Sequence, residues 1–287
     1  MQARSLLQFE ASGPSRFRTT AMHANFGGAI YGGQLLGQAM GAAALTVSGE
    51  LSCHSQHAYF IGPGTPDRPL DFEVTSLRDG RSALRRVAAL QDDQLVFEAT
   101  CSFAATAIAP THSPIMPQAP PPEACLDMAE YVAARSHLLP PEIVDRYAHT
   151  YPLERRLVDP ESVFFRRSDA VQLTWIRMRD DEAYVSDAER RSMIAYLTDA
   201  WLSASAFRPH FTVGETVHVR GMSLDHSVWI HRSAPVGDWF LYVAEGPWSG
   251  SRRGFGRGQL FHRDGTLVAS AAQEGLCLGP ISGSSSN

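Results

Sequence analysis

The stretch ATAIAPTHSPIMPQAPPPE carries proline at positions 110, 114, 117, 120, 121 and 122. Proline fixes its own φ and offers no N–H, so neither a regular helix nor a central strand can cross such a segment. It reads as an extended linker with a folding unit on either side.

Before the linker, the glycine- and alanine-rich run Gly32–Leu45 predicts a helix. Those residues weaken an isolated helix but let another backbone come close, as a helix wrapped by a sheet requires. Strand-like segments follow at His54–Ile61, Leu70–Leu77, Ala83–Gln91 and Gln94–Phe103, with hairpin-type turns at Leu77–Arg81 and Gln91–Gln94. A helix followed by an antiparallel meander is an α+β unit. Beyond the linker, Leu126–His137 predicts a helix stopped by Pro140 and Pro141, and Pro152–Leu157 is extended. The first pattern then returns: a strand at Val171–Met178, a helix at Met193–Phe207, and strands at Ser227–His231, Trp239–Glu245, Gly254–His262 and Thr266–Gln273. Leu95-Val96 lies over Leu267-Val268, and the turn Asp92-Asp93 over Asp264-Gly265. Two related α+β units sharing one continuous sheet are expected: 1–105, a linker and bridging segment 106–160, a second unit 161–280, and a disordered tail 281–287.

The second helix, MIAYLTDAWLSASAF, holds a single acid, Asp199, with apolar residues on every face. A buried unpaired carboxylate is costly. Either a neighbour pairs it for structural reasons, or the site needs a base of tuned pKa in a dry pocket.

Composition removes several function classes. The net charge is −5 with a pI near 6.1, which leaves no basic footprint for nucleic acid. All 25 basic residues are arginine, so the Schiff-base lysine of pyridoxal-phosphate enzymes and the P-loop lysine are both missing. Cys53, Cys101, Cys125 and Cys277 are widely spaced, form no metal-type pair, and read as small buried hydrophobes; no metal and no cofactor is expected. No h-region and no run of about 18 apolar residues occurs, so neither a signal peptide nor a membrane span is indicated and a cytoplasmic protein is expected.

Several spaced segments carry a resemblance. In the first half they are Tyr31-Gly32-Gly33-Gln34, His57-Ala58-Tyr59-Phe60 and Leu77-Arg78-Asp79-Gly80-Arg81-Ser82. In the second half they are Trp175-Ile176-Arg177, Asp225-His226-Ser227-Val228-Trp229, Arg253-Gly254 with Arg257-Gly258, and Gln273-Glu274-Gly275. With these, from roughly Arg16 to Cys277, the chain resembles the acyl-CoA thioesterase II family. The resemblance implies a double hotdog, two antiparallel sheets each curled around a central helix, and hydrolysis of fatty acyl-CoA to free acid and coenzyme A. It places the family's catalytic acid on Asp199, its hydroxyl on Ser223 and its glutamine on Gln273.

Asp199 would then act as base toward a water oriented by Gln273 and Ser223, the preferred route, or attack the carbonyl itself through a mixed anhydride, which the sequence does not separate from it. The Gly32-Gly33-Gln34 turn or the residues before Asp199 are candidate sources of oxyanion donors. Arg252, Arg253 and Arg257 form a cationic cluster that reads either as a solvated strand end or as a contact for coenzyme A phosphates. No G-x-S-x-G occurs, so an α/β-hydrolase nucleophile elbow is absent. His54 and His57 read as packed, hydrogen-bonded residues, and His226 beside Asp225 as structural, because adjacent strand residues face opposite sides. Two other readings stand beside the thioesterase: an enoyl-CoA hydratase-like lyase, which needs a histidine at the acid, and a non-catalytic acyl-CoA-binding protein. Exposed sheet edges are expected to pair chains into a homodimer or larger symmetric oligomer.

Overall fold

The computed structural model describes residues 6–22, 24–25, 27–148, 152–179, 186–216 and 220–278. The expected tail at 281–287 lies outside the described residues. The first half contains β1 (Glu10–Gly13), β2 (Arg16–Thr19), α1 (Gly32–Ala44), β3 (Ser52–Phe60), β4 (Leu70–Arg78), β5 (Ser82–Gln91) and β6 (Gln94–Ala104). On β5, alternate residues turn inward, so Ala83, Val87 and Ala89 are buried on one face. Asp92 and Asp93, at φ 49° and 60°, make the tight turn into β6.

The bridging segment forms α2 (Met128–Ala134), capped by the Asp127 carboxylate on the Ala129 N–H, then α3 (Pro141–Tyr147), β7 (Leu153–Leu157) and α4 (Glu161–Phe164). The second half adds β8 (Val171–Met178), α5 (Asp187–Thr198), β9 (Arg220–Ser223), β10 (Asp225–Ile230), β11 (Phe240–Gly250), β12 (Arg253–His262) and β13 (Leu267–Leu278). Ser186 and Glu189 close a reciprocal capping box at the start of α5.

Among the described residues all thirteen strands join one antiparallel sheet, in the order β1-β2-β4-β5-β6-β3-β10-β13-β12-β11-β8-β7, with β9 on β13. The expected continuity holds. Its seam is β3 against β10, where Tyr59 faces Asp225 and Ser55 faces Trp229. The strands flanking the seam repeat in mirrored order, β6-β5-β4 on one side and β13-β12-β11 on the other.

The main core lies inside the curve of the sheet, where α1 and α5 pack on each other. The glycines of α1 serve this helix-to-helix contact. A Cβ on Gly33 would stand 2.4 Å from the Tyr196 carbonyl oxygen, and one on Gly37 would stand 2.8 Å from that of Ser192. Arg191 through Thr198 are all buried, so α5 has no solvent-facing side along this stretch.

Two expectations need correction. The run Met193–Phe207 is not one helix: α5 stops at Thr198, Asp199 occupies its C-cap, Trp201 turns left-handed at φ 62°, and a short 3-10 turn follows at Ser203–Phe207. A positive φ ends the α-helical hydrogen-bond ladder, and a tryptophan gives no local signal for it. His54 and His57 are exposed on the outer face, although His57 Nδ1 does lie 2.9 Å from Ser227 Oγ with its ring against Trp229. The linker is extended and packs along the second half. Trp175 Nε1 donates to the Pro120 carbonyl at 2.8 Å, and Met116 and Ala119 cover an outer apolar cluster of Trp175, Trp239, Leu241 and Phe261.

Candidate active site

Asp199 sits where the end of α5 meets the start of α1, and only 8% of its surface is exposed. One carboxylate oxygen, Oδ1, accepts from Gln273 Nε2 at 2.7 Å; the other, Oδ2, accepts from the Gly33 backbone N–H at 2.7 Å. The second hydrogen of Gln273 Nε2 reaches Ser223 Oγ at 3.0 Å, and Gln273 Oε1 accepts from the Ser203 N–H at 3.1 Å. Gln273 is buried on β13, while Ser223 ends β9 opposite Gly275 and is half-buried. The structure therefore brings Asp199, Ser223 and Gln273 into one hydrogen-bonded set.

Burial pushes the Asp199 carboxyl up from its ordinary 3.8 to about 6; the donors from Gln273 and Gly33 oppose that rise only in part. Such a group is largely ionised near neutral pH and basic enough to take a proton from water in a transition state. Each of its oxygens still has accepting capacity after one bond, and Ser223 keeps its own O–H to donate. Close by, Tyr242 O–H donates to the Thr198 carbonyl at 2.5 Å, fixing the residue before the acid. His226 is fully buried with Nε2 3.0 Å from Thr198 Oγ1, and burial alone lowers it to about 3, so it is neutral.

The remaining sequence candidates fall in different places. The Gly33 N–H is committed to Asp199, the Gln34 N–H donates to the Tyr31 carbonyl, and Gln34 Nε2 donates to the Ala21 carbonyl at 2.6 Å. Gly32 is packed against the acid, with an added Cβ only 2.9 Å from Asp199 Oδ2. Arg252 forms the turn between β11 and β12 at φ 62°. Arg253 and Arg257 alternate with Gly254, Gly256 and Gly258, which press on the interior, so both guanidinium groups lie on the outer face. There Arg257 pairs with Glu245 at 2.6 Å and Arg253 approaches Glu274 at 3.6 Å. The structure does not bring these arginines to Asp199.

Sequence reasoning missed the Ser203 amide and Trp201, since a backbone donor and a left-handed tryptophan leave no residue-type signature. Among the described residues no cluster of histidine, cysteine, aspartate or glutamate is placed to hold a metal ion. Clefts of about 280 and 530 Å³ open beside Phe165 and Arg166, yet Asp199 lines neither. The hydrogen-bonded set, not a surface hollow, marks the site.

A pair of helices enclosed by a single curved antiparallel sheet, with an acid at the inner helix end, defines a hotdog-fold protein. A protein with a hot dog fold from Alicyclobacillus acidocaldarius has the same architecture, with a TM-score of 0.76 at 17% identity, covering 98% of this chain and 100% of that one. The chain belongs to the acyl-CoA thioesterase family: sequence models of that family's N-terminal and C-terminal domains match residues 10–104 and 122–277. It is similar to acyl-coenzyme A thioesterase 8 of Homo sapiens, at 34% identity over 86% of this chain and 80% of that protein. It is also similar to the crystal structure of acyl-CoA thioesterase II TesB2 from Mycobacterium marinum, at 29% identity and a TM-score of 0.76 over 98% of each chain.

Proposed function

We propose that this chain hydrolyses fatty acyl-CoA to free fatty acid and coenzyme A, with Asp199 as general base and Ser223 and Gln273 orienting the water. The observation that carries this reading is the pair of bonds from Gln273 Nε2, one to Asp199 and one to Ser223, inside a chain of the acyl-CoA thioesterase family. A thioester carbonyl is electrophilic enough for held water to attack without a metal or a strong nucleophile. Asp199 takes one proton as the water oxygen bonds to the carbonyl carbon. The tetrahedral intermediate then collapses, the carbon–sulfur bond breaks, and Asp199 returns the proton to the leaving thiolate.

The Asp199 carboxylate accepts from Gln273 and Gly33, while His226 lies against Thr198, which favours hydrolysis over a hydratase-like reaction that calls for a histidine at the acid. We further read the protein as a cytoplasmic enzyme of lipid metabolism, in keeping with four free cysteines. A homodimer or larger symmetric oligomer is supported by Tyr59 and Trp229, which stand 64% and 39% exposed on the outer face at the seam.

The test is thiol release across acyl-CoA substrates of increasing chain length, with Asp199→Asn as control. Hydrolysis by the wild type and its loss in the variant support the proposal. Loss of enoyl absorbance without thiol release would establish the lyase, and tight binding without product the binding protein.

A further inference from the structure

Trp201 adopts φ 62°, a region that bulky residues seldom enter and that glycine usually fills at a helix end. It stands midway between Asp199 and Ser203, and those two residues hold opposite ends of the Gln273 amide. Gln273 Nε2 donates to Asp199 Oδ1 at 2.7 Å, while the Ser203 N–H donates to Gln273 Oε1 at 3.1 Å. The reversal at Trp201 is what lets two residues so close in sequence grip one side chain from both ends.

The reversal is itself held from two sides. On one side the bridging segment grips the indole: the Tyr147 ring meets it edge-on at 5.6 Å and 76°, and the Arg155 guanidinium carbon lies 5.1 Å from the ring centre. On the other side the Leu202 carbonyl oxygen is seated on Gly256, where a Cβ would come within 2.4 Å, and Gly256 is the register partner of Gln273. A glycine at 201 would reach the same φ without strain, so the backbone alone does not account for a tryptophan.

We infer that Trp201 is a positioning residue: its indole, clamped by Tyr147 and Arg155 of the bridging segment, fixes the left-handed turn that aligns Asp199 and Ser203 on the Gln273 amide. The inference deepens the thioesterase reading and rests on it for its kinetic test. It assigns residues 106–160 a part in the chemistry through α3 and β7, without contact to substrate.

Trp201→Gly keeps the backbone conformation accessible and removes the indole, and Trp201→Phe keeps a ring in the clamp. With the glycine variant folded, as judged by a cooperative thermal transition, kcat is expected to fall by about tenfold or more with KM changed less than about twofold. Because water then reaches the loosened carboxylate, the Asp199 carboxyl titrates lower than in the wild type, read both from the acid limb of the pH–rate profile and from carbon-13 NMR of the unliganded protein. Trp201→Phe recovers most of kcat and of the titration. Where Trp201→Gly fails to fold, Tyr147→Leu, which removes the ring that meets the indole, is expected to give the same pattern more weakly.

A kcat within about twofold of the wild type in the folded variants, or a lower kcat with an unmoved Asp199 titration and no recovery with phenylalanine, overturns the inference. Absence of acyl-CoA hydrolysis by the wild type refutes the thioesterase reading instead, and the NMR titration still decides whether Trp201 positions Asp199.

Discussion

Gly33 donates its backbone N–H to Asp199 Oδ2 at 2.7 Å across 166 positions of sequence. Tyr31, the N-cap residue of α1, contributes no side-chain cap, so the acid from the second half caps the helix of the first. The positive end of α1 also faces the carboxylate, which favours its ionised form. Helix capping and the proposed base chemistry thus share one side chain.

Replacing Gly33 with alanine should break both at once. The new methyl group would lie 2.4 Å from the Tyr196 carbonyl and 2.5 Å from the Tyr31 ring, so α1 and α5 must separate. A stability loss of about 1–3 kcal/mol is expected in denaturant melts, together with turnover reduced more than tenfold, on the order of a misplaced base.

Asp199→Asn should lower kcat by roughly 10²–10⁴ while leaving acyl-CoA binding in place. Its stability effect has a definite pH dependence. The Asp199 carboxyl titrates at about 6 in the folded protein against an ordinary 3.8, so the folded state binds the proton more tightly than the unfolded chain. Wild-type stability from this group is greatest below about pH 4 and is lost as pH rises through about 6. Between those limits the asparagine variant should gain on the wild type by roughly 3 kcal/mol, measured by parallel melts. A gap that stayed constant with pH would contradict a buried, raised acid.

The rate itself should follow the ionised base. In the wild type kcat/KM is expected to rise with an apparent pKa of about 6 and to level off near neutrality, provided no second group intervenes. A limb near the ordinary carboxylate value would mean that the site is wetter than the structure shows.

Gln273→Glu offers a sharper probe, because it exchanges a donor at 2.7 Å from Asp199 Oδ1 for a second carboxylate. Two acids in one buried site resist ionising together, so the activity limb should move to higher pH and turnover at neutrality should fall. A pH–rate profile unchanged by this substitution would remove Gln273 from the site.

Much of this was legible in the sequence, for reasons that particular residues make plain. The strand-like run Val171–Met178 is a strand with those bounds, and β4, β5 and β6 end within a residue or two of the expected positions. The turns Asp92-Asp93 and Asp264-Gly265 marked the repeat, and both are left-handed in the structure, at Asp92, Asp93 and Gly265. Asp199 stood out as a lone acid in an apolar helix, whereas Ser223, Gln273 and the role of all three came from a family resemblance, and only the folded chain shows them sharing hydrogen bonds. What stayed hidden depends on tertiary contact. Trp201, left-handed just beyond the end of α5 at Thr198, is packed by Tyr147 and Arg155 of another segment, and the partner of the α1 glycines is a helix more than a hundred residues away. The short β9, RGMS, has too few residues to carry a pattern, although it delivers Ser223.

The seam between β3 and β10 has a consequence for how such a chain can vary. Its two units repeat in mirrored strand order, but the acid stands in one and the N–H that donates to it in the other. The unit whose helix carries no acid is therefore a working part of the candidate site, supplied in cis. On the proposed mechanism, a change confined to the start of that helix would register as lost turnover.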